Sequence, residues 1–230
     1  MYKVVMILFS FIKRFFGISK PKSNALPAPV KTKHDTTLDF VALDFETASL
    51  ANESICQVGI AVVRQDKIIH SQSWLVHPHS KYFSSKNTDI HGISYKMVKD
   101  SPTFDEIWSE IEPYIKEYGN VAAHYAHFDI PVLLATLKYY NITPPPFSII
   151  DSCVTARYAW PFLSNHRLPT IAEYLKLELN HHNALSDVLI CAQALLYAKK
   201  QLGEKIIISM KPEWVCDKKI YNSIFFGNKQ

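Results

Sequence analysis

Glycine is scarce in this 230-residue chain, with six residues against thirteen prolines. No G-x-x-x-x-G-K-[ST] or G-x-G-x-x-G string occurs, which removes P-loop nucleotide hydrolysis and Rossmann dinucleotide chemistry. Cysteine is scarce too. Cys56, Cys153, Cys191 and Cys216 lie far apart with no C-x-x-C, so neither a zinc ribbon nor a disulfide framework is indicated and a reducing compartment fits. Acid is missing altogether from residues 1–34, which carry seven Lys/Arg. The apolar stretch in that segment is shorter than the ~20 residues that a bilayer-spanning helix needs.

What is present is an ordinary globular balance: 48% hydrophobic, 13% aromatic and 20% charged residues. That supports one domain with a full core and short appendages, and excludes wholesale disorder or a collagen-like rod. The net charge of +4 conceals a division along the chain, with +7 in residues 1–34, −5 in 35–202 and +2 in 203–230. An acidic body argues against simple electrostatic adhesion to nucleic acid, unless some of its carboxylates hold metal ions.

Four regions follow. Residues 1–19 read as an apolar, basic helix, with Val4, Leu8, Phe11, Phe15 and Ile18 at 4/3/4/3 spacing. Lys13 and Arg14 interrupt what would be the apolar region of a secretory signal. Two readings of this helix stand level: an interfacial helix drawn to anionic lipid, or a flexible or protein-docking tail. Residues 20–37 form a linker, 38–202 the main body, and 203–230 a basic C-terminal extension. The expected location is cytoplasmic, with membrane association through the N-terminal helix as the first of those readings implies.

Within the body, Phe40–Leu43, Ile55–Val63 and Ile68–Val76 read as a β-meander with a polar turn at Arg64–Lys67. Phe104, Ile107, Trp108, Ile111, Ile115 and Tyr118 make one helical stripe, with Thr103 and Glu106 available as a capping box. Val121–His124 and Ile149–Ile150 are short strands, and Ile130–Tyr140 is a helix that tolerates Pro131 in its first turn. Thr170 with Glu173 suggests a further helix start, and the last body helix covers about 184–200. Strands first, then alternating helix and strand, make a mixed α/β layer.

Three segments carry candidate chemistry. Asp44 and Glu46 end the first strand on one face while Phe45 packs behind; such a pair is costly on a buried strand without a cation, yet ordinary where a strand emerges into water. Asp129 follows the 121–124 strand at a helix N-terminus, where a carboxylate is equally welcome as a cap. His182 and Asp187 open the last helix. Five helical residues turn the chain about 500°, so the two meet only if His182 sits on the loop before the first turn.

Taken together, Asp44, Glu46, Asp129 and Asp187, with His182 five residues before the last, resemble the DEDDh 3′–5′ exonucleases, the family of the epsilon proofreading subunit of bacterial DNA polymerase III. The resemblance spans roughly residues 38–200. Secondary marks agree: Ser54–Gly59, Ile90–Ile93 before Ser101–Phe104, and Leu168–Thr170. One departure is His127, where a small residue such as Ser is common. The resemblance implies an RNase H-like fold, a mixed five-stranded sheet with one antiparallel strand and helices on both faces. It further implies that the four acids bind two Mg²⁺ or Mn²⁺ ions for in-line attack of water on a phosphodiester, with His182 as general base. The product is a nucleoside 5′-monophosphate.

Single-stranded 3′ ends are the expected partner, DNA favoured over RNA, with Phe45, Thr47, Leu50, His91, Ile93, His127 and Phe128 as candidate contacts for the terminal nucleotides. A polymerase or repair protein is the expected protein partner. Three alternatives remain: an exoribonuclease, a non-catalytic binding module, and a zinc hydrolase built from His77/His79, His124/His127 and His181/His182. The last two are disfavoured, because the carboxylate set is complete and outnumbers what a zinc site uses. Which basic residues track the strand is not legible from the sequence.

Overall fold

The computed structural model describes residues 37–203. The helix expected over 1–19, nearly all of the 20–37 linker and the extension beyond Gly203 therefore lie outside the described residues. Among the described residues no helix is long and apolar enough to cross a membrane.

Five strands form one sheet: β1 (Phe40–Thr47), β2 (Ile55–Arg64), β3 (Lys67–Leu75), β4 (Asn120–Ala123) and β5 (Ser148–Asp151), in the order β3-β2-β1-β4-β5. β2 runs antiparallel to β1 and β3, while β4 is parallel to β1 and β5 to β4, so β2 alone opposes the rest. The mixed sheet with one antiparallel strand is the one expected. The chain leaves β1 on one side, through β2 and β3, and returns on its other side as β4. That reversal leaves a crevice at the carboxyl ends of β1 and β4, where open α/β sheets place ligands.

Period-2 alternation along β1 sorts the core into two halves. Val41, Leu43 and Phe45 pack with α3 (Phe104–Tyr118) and α4 (Asp129–Tyr139), and Phe45 meets Phe104 edge to face at 6.1 Å. Phe40 and Ala42 face the other way, into a second core closed by α5 (Ser152–Ala159), α6 (Leu168–Leu175) and α7 (Ala184–Leu202). By the same alternation Asp44 and Glu46 belong to the α7 side.

The predicted stripe on α3 is buried from Phe104 to Ile115, and Glu106 reaches back to the Thr103 N–H at 2.8 Å. The polar turn is a tight hairpin in which Gln65 and Asp66 both take positive φ, the geometry that matches strand twist. Asp66 stabilises it by accepting from Leu38 N at 2.8 Å and from Lys199 Nζ at 2.6 Å.

Three helices were not legible in the sequence: α1 (Ser85–His91), α2 (Tyr95–Val98) and α5. The first two are too short for periodicity to show. The helix expected to start at Thr170 begins instead at Leu168, with Pro169 in its first turn, and the Thr170 hydroxyl donates to Asn165 Oδ1 at 2.8 Å.

The N-terminus of α7 is seated on β2. Ala184 N donates to Gln57 Oε1 at 3.2 Å, and a Cβ at Gly59 would overlap the Ala184 carbonyl. Gly59 is thus needed for close approach rather than for its torsions. Gly59→Ala is expected to cost about 1–3 kcal/mol, the range of an overpacked core. It would be read as a lower urea midpoint at unchanged slope.

Candidate active site

β1 sends Asp44 and Glu46 toward α7, and the first turn of α7 returns Asp187 toward them. The turn is set by Asn183, whose side chain accepts from Ser186 N at 3.2 Å. As a result carboxylate oxygens of Asp44, Glu46 and Asp187 lie within 4.8 Å of one another. Asp129 joins from the third segment. Pairing between β1 and β4 ends at Ala42 and Ala122, and beyond it Asp129 Oδ1 accepts the Phe45 N–H at 3.2 Å, continuing the edge where β4 stops. Asp129 and Asp187 are 2% and 3% exposed, and on β1 Glu46 is 9% exposed while Asp44 is half-buried, so the β1 pair is not a strand end emerging freely into water.

Burial first, and then the neighbouring acids, drive these groups toward their neutral forms. Glu46 rises from an ordinary 4.5 to about 8 through burial, Asp187 and Asp129. Asp129 rises to about 8, mainly through burial, despite the N–H bonds that favour its anion. Asp44 is pushed well up by burial, Asp129, Asp187 and Glu46, and Asp187 is raised with partial relief from His181. The four carboxylates make an all-oxygen donor set of a charge that fits a hard divalent cation, while His181 and His182 bring ring nitrogens within 4.8 Å of the Asp187 carboxylate at its margin.

Two histidines meet Asp187. The His182 backbone N–H donates to Oδ2 at 2.9 Å with φ at +63°, while the His181 ring reaches Oδ1 through Nδ1 at 3.1 Å. Their rings stack at 3.8 Å. His182 is therefore on the loop before α7, as the spacing required, but the imidazole resting on the carboxylate is that of His181. Partial burial and the adjacent His181 lower His182 below 6.5, so its ring is neutral near pH 7.

These groups line a cavity of about 650 Å³. Of the residues expected to touch a nucleotide, Phe45, Thr47, His91 and Phe128 line it. His91 Nδ1 accepts the Ile93 N–H at 3.0 Å, which leaves Nε2–H to donate to the Thr47 carbonyl at 3.1 Å, so its ring braces α1 against β1. Leu50 is 88% exposed and outside the cavity lining; Ile93 is buried in a small separate core with Ala48, Cys56 and Val98. His127 also lies outside the lining, its ring 5.7 Å from that of Tyr125.

Sequence reasoning passed over Asp151. Its carboxylate accepts from Cys153 N at 2.8 Å and Val154 N at 3.1 Å as the cap of α5, and from Tyr125 N at 3.3 Å and Ala126 N at 2.9 Å. It thereby curls the loop that delivers Asp129. A strand ending in Asp before a helix was the available signal. His124, bonded to Ser152 Oγ at 2.8 Å and lowered to about 4 mainly by burial, is a neutral strut in the same loop.

The raised carboxylates fix a sign for pH dependence. Folded chains hold protons on Glu46 and Asp129 up to about pH 8, whereas unfolded chains release them near their ordinary 4.5 and 3.8. Stability contributed by these groups is full below the unfolded values and is lost as pH climbs through the folded ones. In EDTA the melting temperature should fall between pH 5 and 8.5, and millimolar Mn²⁺ should flatten the profile by occupying the site the protons leave. A scanning-fluorimetry series across pH checks both halves.

Comparison with known proteins bears on the same segments. The RNase T-type exonuclease family model matches residues 41–195. PolC-type DNA polymerase III of Caldanaerobacter subterraneus subsp. tengcongensis is 28% identical over 169 residues, covering 72% of this chain and 12% of the polymerase. The Bacillus subtilis polymerase of the same type is 28% identical over 170 residues, with the same coverage. The chain thus spans about an eighth of the length of these relatives. Among solved structures, exonuclease X in complex with 5′-overhanging duplex DNA is 26% identical with a TM-score of 0.56, over 71% of this chain and 93% of that one. The nuclease domain of 3′hExo, a DEDDh family member bound to rAMP, is 16% identical with a TM-score of 0.61, over 74% and 96%; at that identity it shows the shared RNase H-like fold. Since the family match runs from β1 into the second half of α7 and encloses all four acids, the chain belongs to the RNase T-type exonucleases.

Proposed function

We propose that this chain is a metal-dependent 3′–5′ exonuclease that removes nucleoside 5′-monophosphates from the 3′ end of single-stranded DNA. The observation that carries the reading is the acidic quartet: three separate segments bring four carboxylates to one crevice, where burial and mutual repulsion disfavour their charged forms. Asp44, Glu46, Asp129 and Asp187 would hold two Mg²⁺ or Mn²⁺ ions, which when bound supply the positive charge that receives the scissile phosphate and stabilises its transition state. His182, neutral and on the loop beside Asp187, takes a proton from the attacking water. Phe128 and Tyr125, 46% and 55% exposed at the cavity, offer faces for the terminal base.

DNA is favoured because the relatives at 28% identity are DNA polymerases and the neighbour at 26% was solved with DNA. The match to one segment of a far longer polymerase also supports a polymerase as protein partner. The rAMP in the 3′hExo structure keeps RNA as the second substrate to be tested.

The test uses matched single-stranded DNA and RNA, labelled at the 5′ end, with Mg²⁺, Mn²⁺ or EDTA. Shortening from the 3′ end, release of 5′-monophosphates and resistance of a 3′-blocked strand are expected. Internal cuts in circular single-stranded DNA would instead mean an endonuclease. Asp44→Ala and Asp129→Ala should nearly abolish activity and lose most of the thermal gain from Mn²⁺.

His182→Ala should lower turnover about 10²–10⁴-fold, the range for a positioned acid–base group. Mn²⁺ binding should survive this change, and His181→Ala should cost less turnover. The reverse order of sensitivity would assign the proton transfer to His181.

A further inference from the structure

The cavity has a second wall with the opposite charge. Arg157 on α5 and Arg167, the residue that leads into α6, line the same space as the four acids, together with Asn165 and His166. Both arginines are exposed, and among the described residues neither makes an ion pair with an acid. A guanidinium near four carboxylates has every electrostatic reason to fold onto them.

The backbone that leads to Arg167 is set by the polar framework of the 160–167 loop. His166 bonds the Trp160 carbonyl through Nε2 at 3.0 Å, and its own carbonyl accepts from Cys153 Sγ at 3.5 Å. Asn165 Oδ1 accepts from Arg167 N at 3.1 Å and from Thr170 Oγ1 at 2.8 Å. On the facing helix, Arg157 lies beside the Cys153 thiol, and α5 itself is anchored by Asp151. The aspartate that curls the loop delivering Asp129 therefore also anchors the helix that carries Arg157.

A nucleic-acid strand entering such a cavity carries more than one phosphate. The scissile one belongs at the acids, where cations held by the four carboxylates would neutralise it. The next phosphodiester toward the 5′ side finds no cation there, and needs a donor group of its own. Guanidinium forks are suited to phosphate oxygens, and phosphate contacts set the register of a strand on its protein without reading sequence.

We infer that Arg157 and Arg167 form the site for the backbone phosphate on the 5′ side of the scissile bond, so that the strand leaves the active site over the 160–167 loop. The inference rests on the exonuclease reading and adds the direction of the strand to it. The rim selects polynucleotide over mononucleotide, because a nucleoside 5′-monophosphate has one phosphate and no group for the arginines to hold.

The test compares wild type with Arg157→Gln, Arg167→Gln, the double variant and the two Arg→Lys variants. The readouts are steady-state degradation of a labelled oligodeoxynucleotide in Mn²⁺ across a NaCl series, and inhibition by thymidine 5′-monophosphate. Each Gln variant should raise KM far more than it lowers kcat. It should also flatten the dependence of log KM on log [NaCl] by about 0.7, the single-strand value for one lost phosphate contact. Lys variants should keep the wild-type salt slope, and the inhibition constant for thymidine 5′-monophosphate should stay at its wild-type value in every variant.

Salt slopes that do not change in the Gln variants overturn the rim. So does an inhibition constant that rises in step with KM, since the arginines would then serve the scissile phosphate. A wild-type chain that shortens no strand overturns the exonuclease reading itself, an outcome separate from either of these.

Discussion

Asp44, Glu46, Asp129 and Asp187 repel one another at the carboxyl ends of β1 and β4, and the architecture around them answers to that repulsion. Two unit charges about 4 Å apart cost about 4 kcal/mol at an effective dielectric near 20. A domain of this kind is stable by only about 5–15 kcal/mol in total. The quartet is therefore tolerable only when protons or cations neutralise it, and only on a scaffold that cannot relieve the strain by splaying apart. Each acid is tied down accordingly. Asp44 and Glu46 are carried by a central strand paired on both sides, Asp129 is bonded to the Phe45 N–H, and Asp187 sits on a helix seated against Gly59 and Gln57.

A fifth carboxylate does a different job with the same chemistry. Asp151 accepts four backbone N–H groups and joins the loop before α4 to the start of α5. Its partners explain why an acid stands so close to the others: the carboxylate oxygens satisfy four backbone N–H groups that no apolar residue could accept from. His124, kept neutral by burial, braces the same junction without adding charge. The loop that delivers Asp129 and the helix that carries Arg157 thus share one junction.

Much of this arrangement is legible in the sequence. Period-2 alternation put Asp44 and Glu46 on one face, and the stripe from Phe104 to Ile115 marked α3. The spacing from His182 to Asp187 required a loop followed by a first turn, which is what is found. The short helices were not legible, because four or seven residues hold too little of a 3.6-residue period to stand out. Leu50 and Ile93 were named by their place in the chain, yet one points to water and the other into a core. Proximity along the sequence says nothing of which way a loop turns its side chains.

Side-chain type and local spacing settled the kind of chemistry, since paired acids on a strand, an acid at a helix start and a His before another acid are short-range patterns written into adjacent residues. Long-range placement settled the rest. Asp44 and Asp187 are neighbours because Gly59 lets α7 approach β2, and nothing near either aspartate announces that contact. His181 rather than His182 rests its ring on Asp187 because the chain takes a left-handed turn between them and the helix. Arg157 and Arg167 share a cavity with Asp44 and Glu46, more than a hundred residues away, only after α5 and α6 have packed on the sheet. Such pairings follow from backbone geometry summed over many residues, and so they exist only once the sheet has formed.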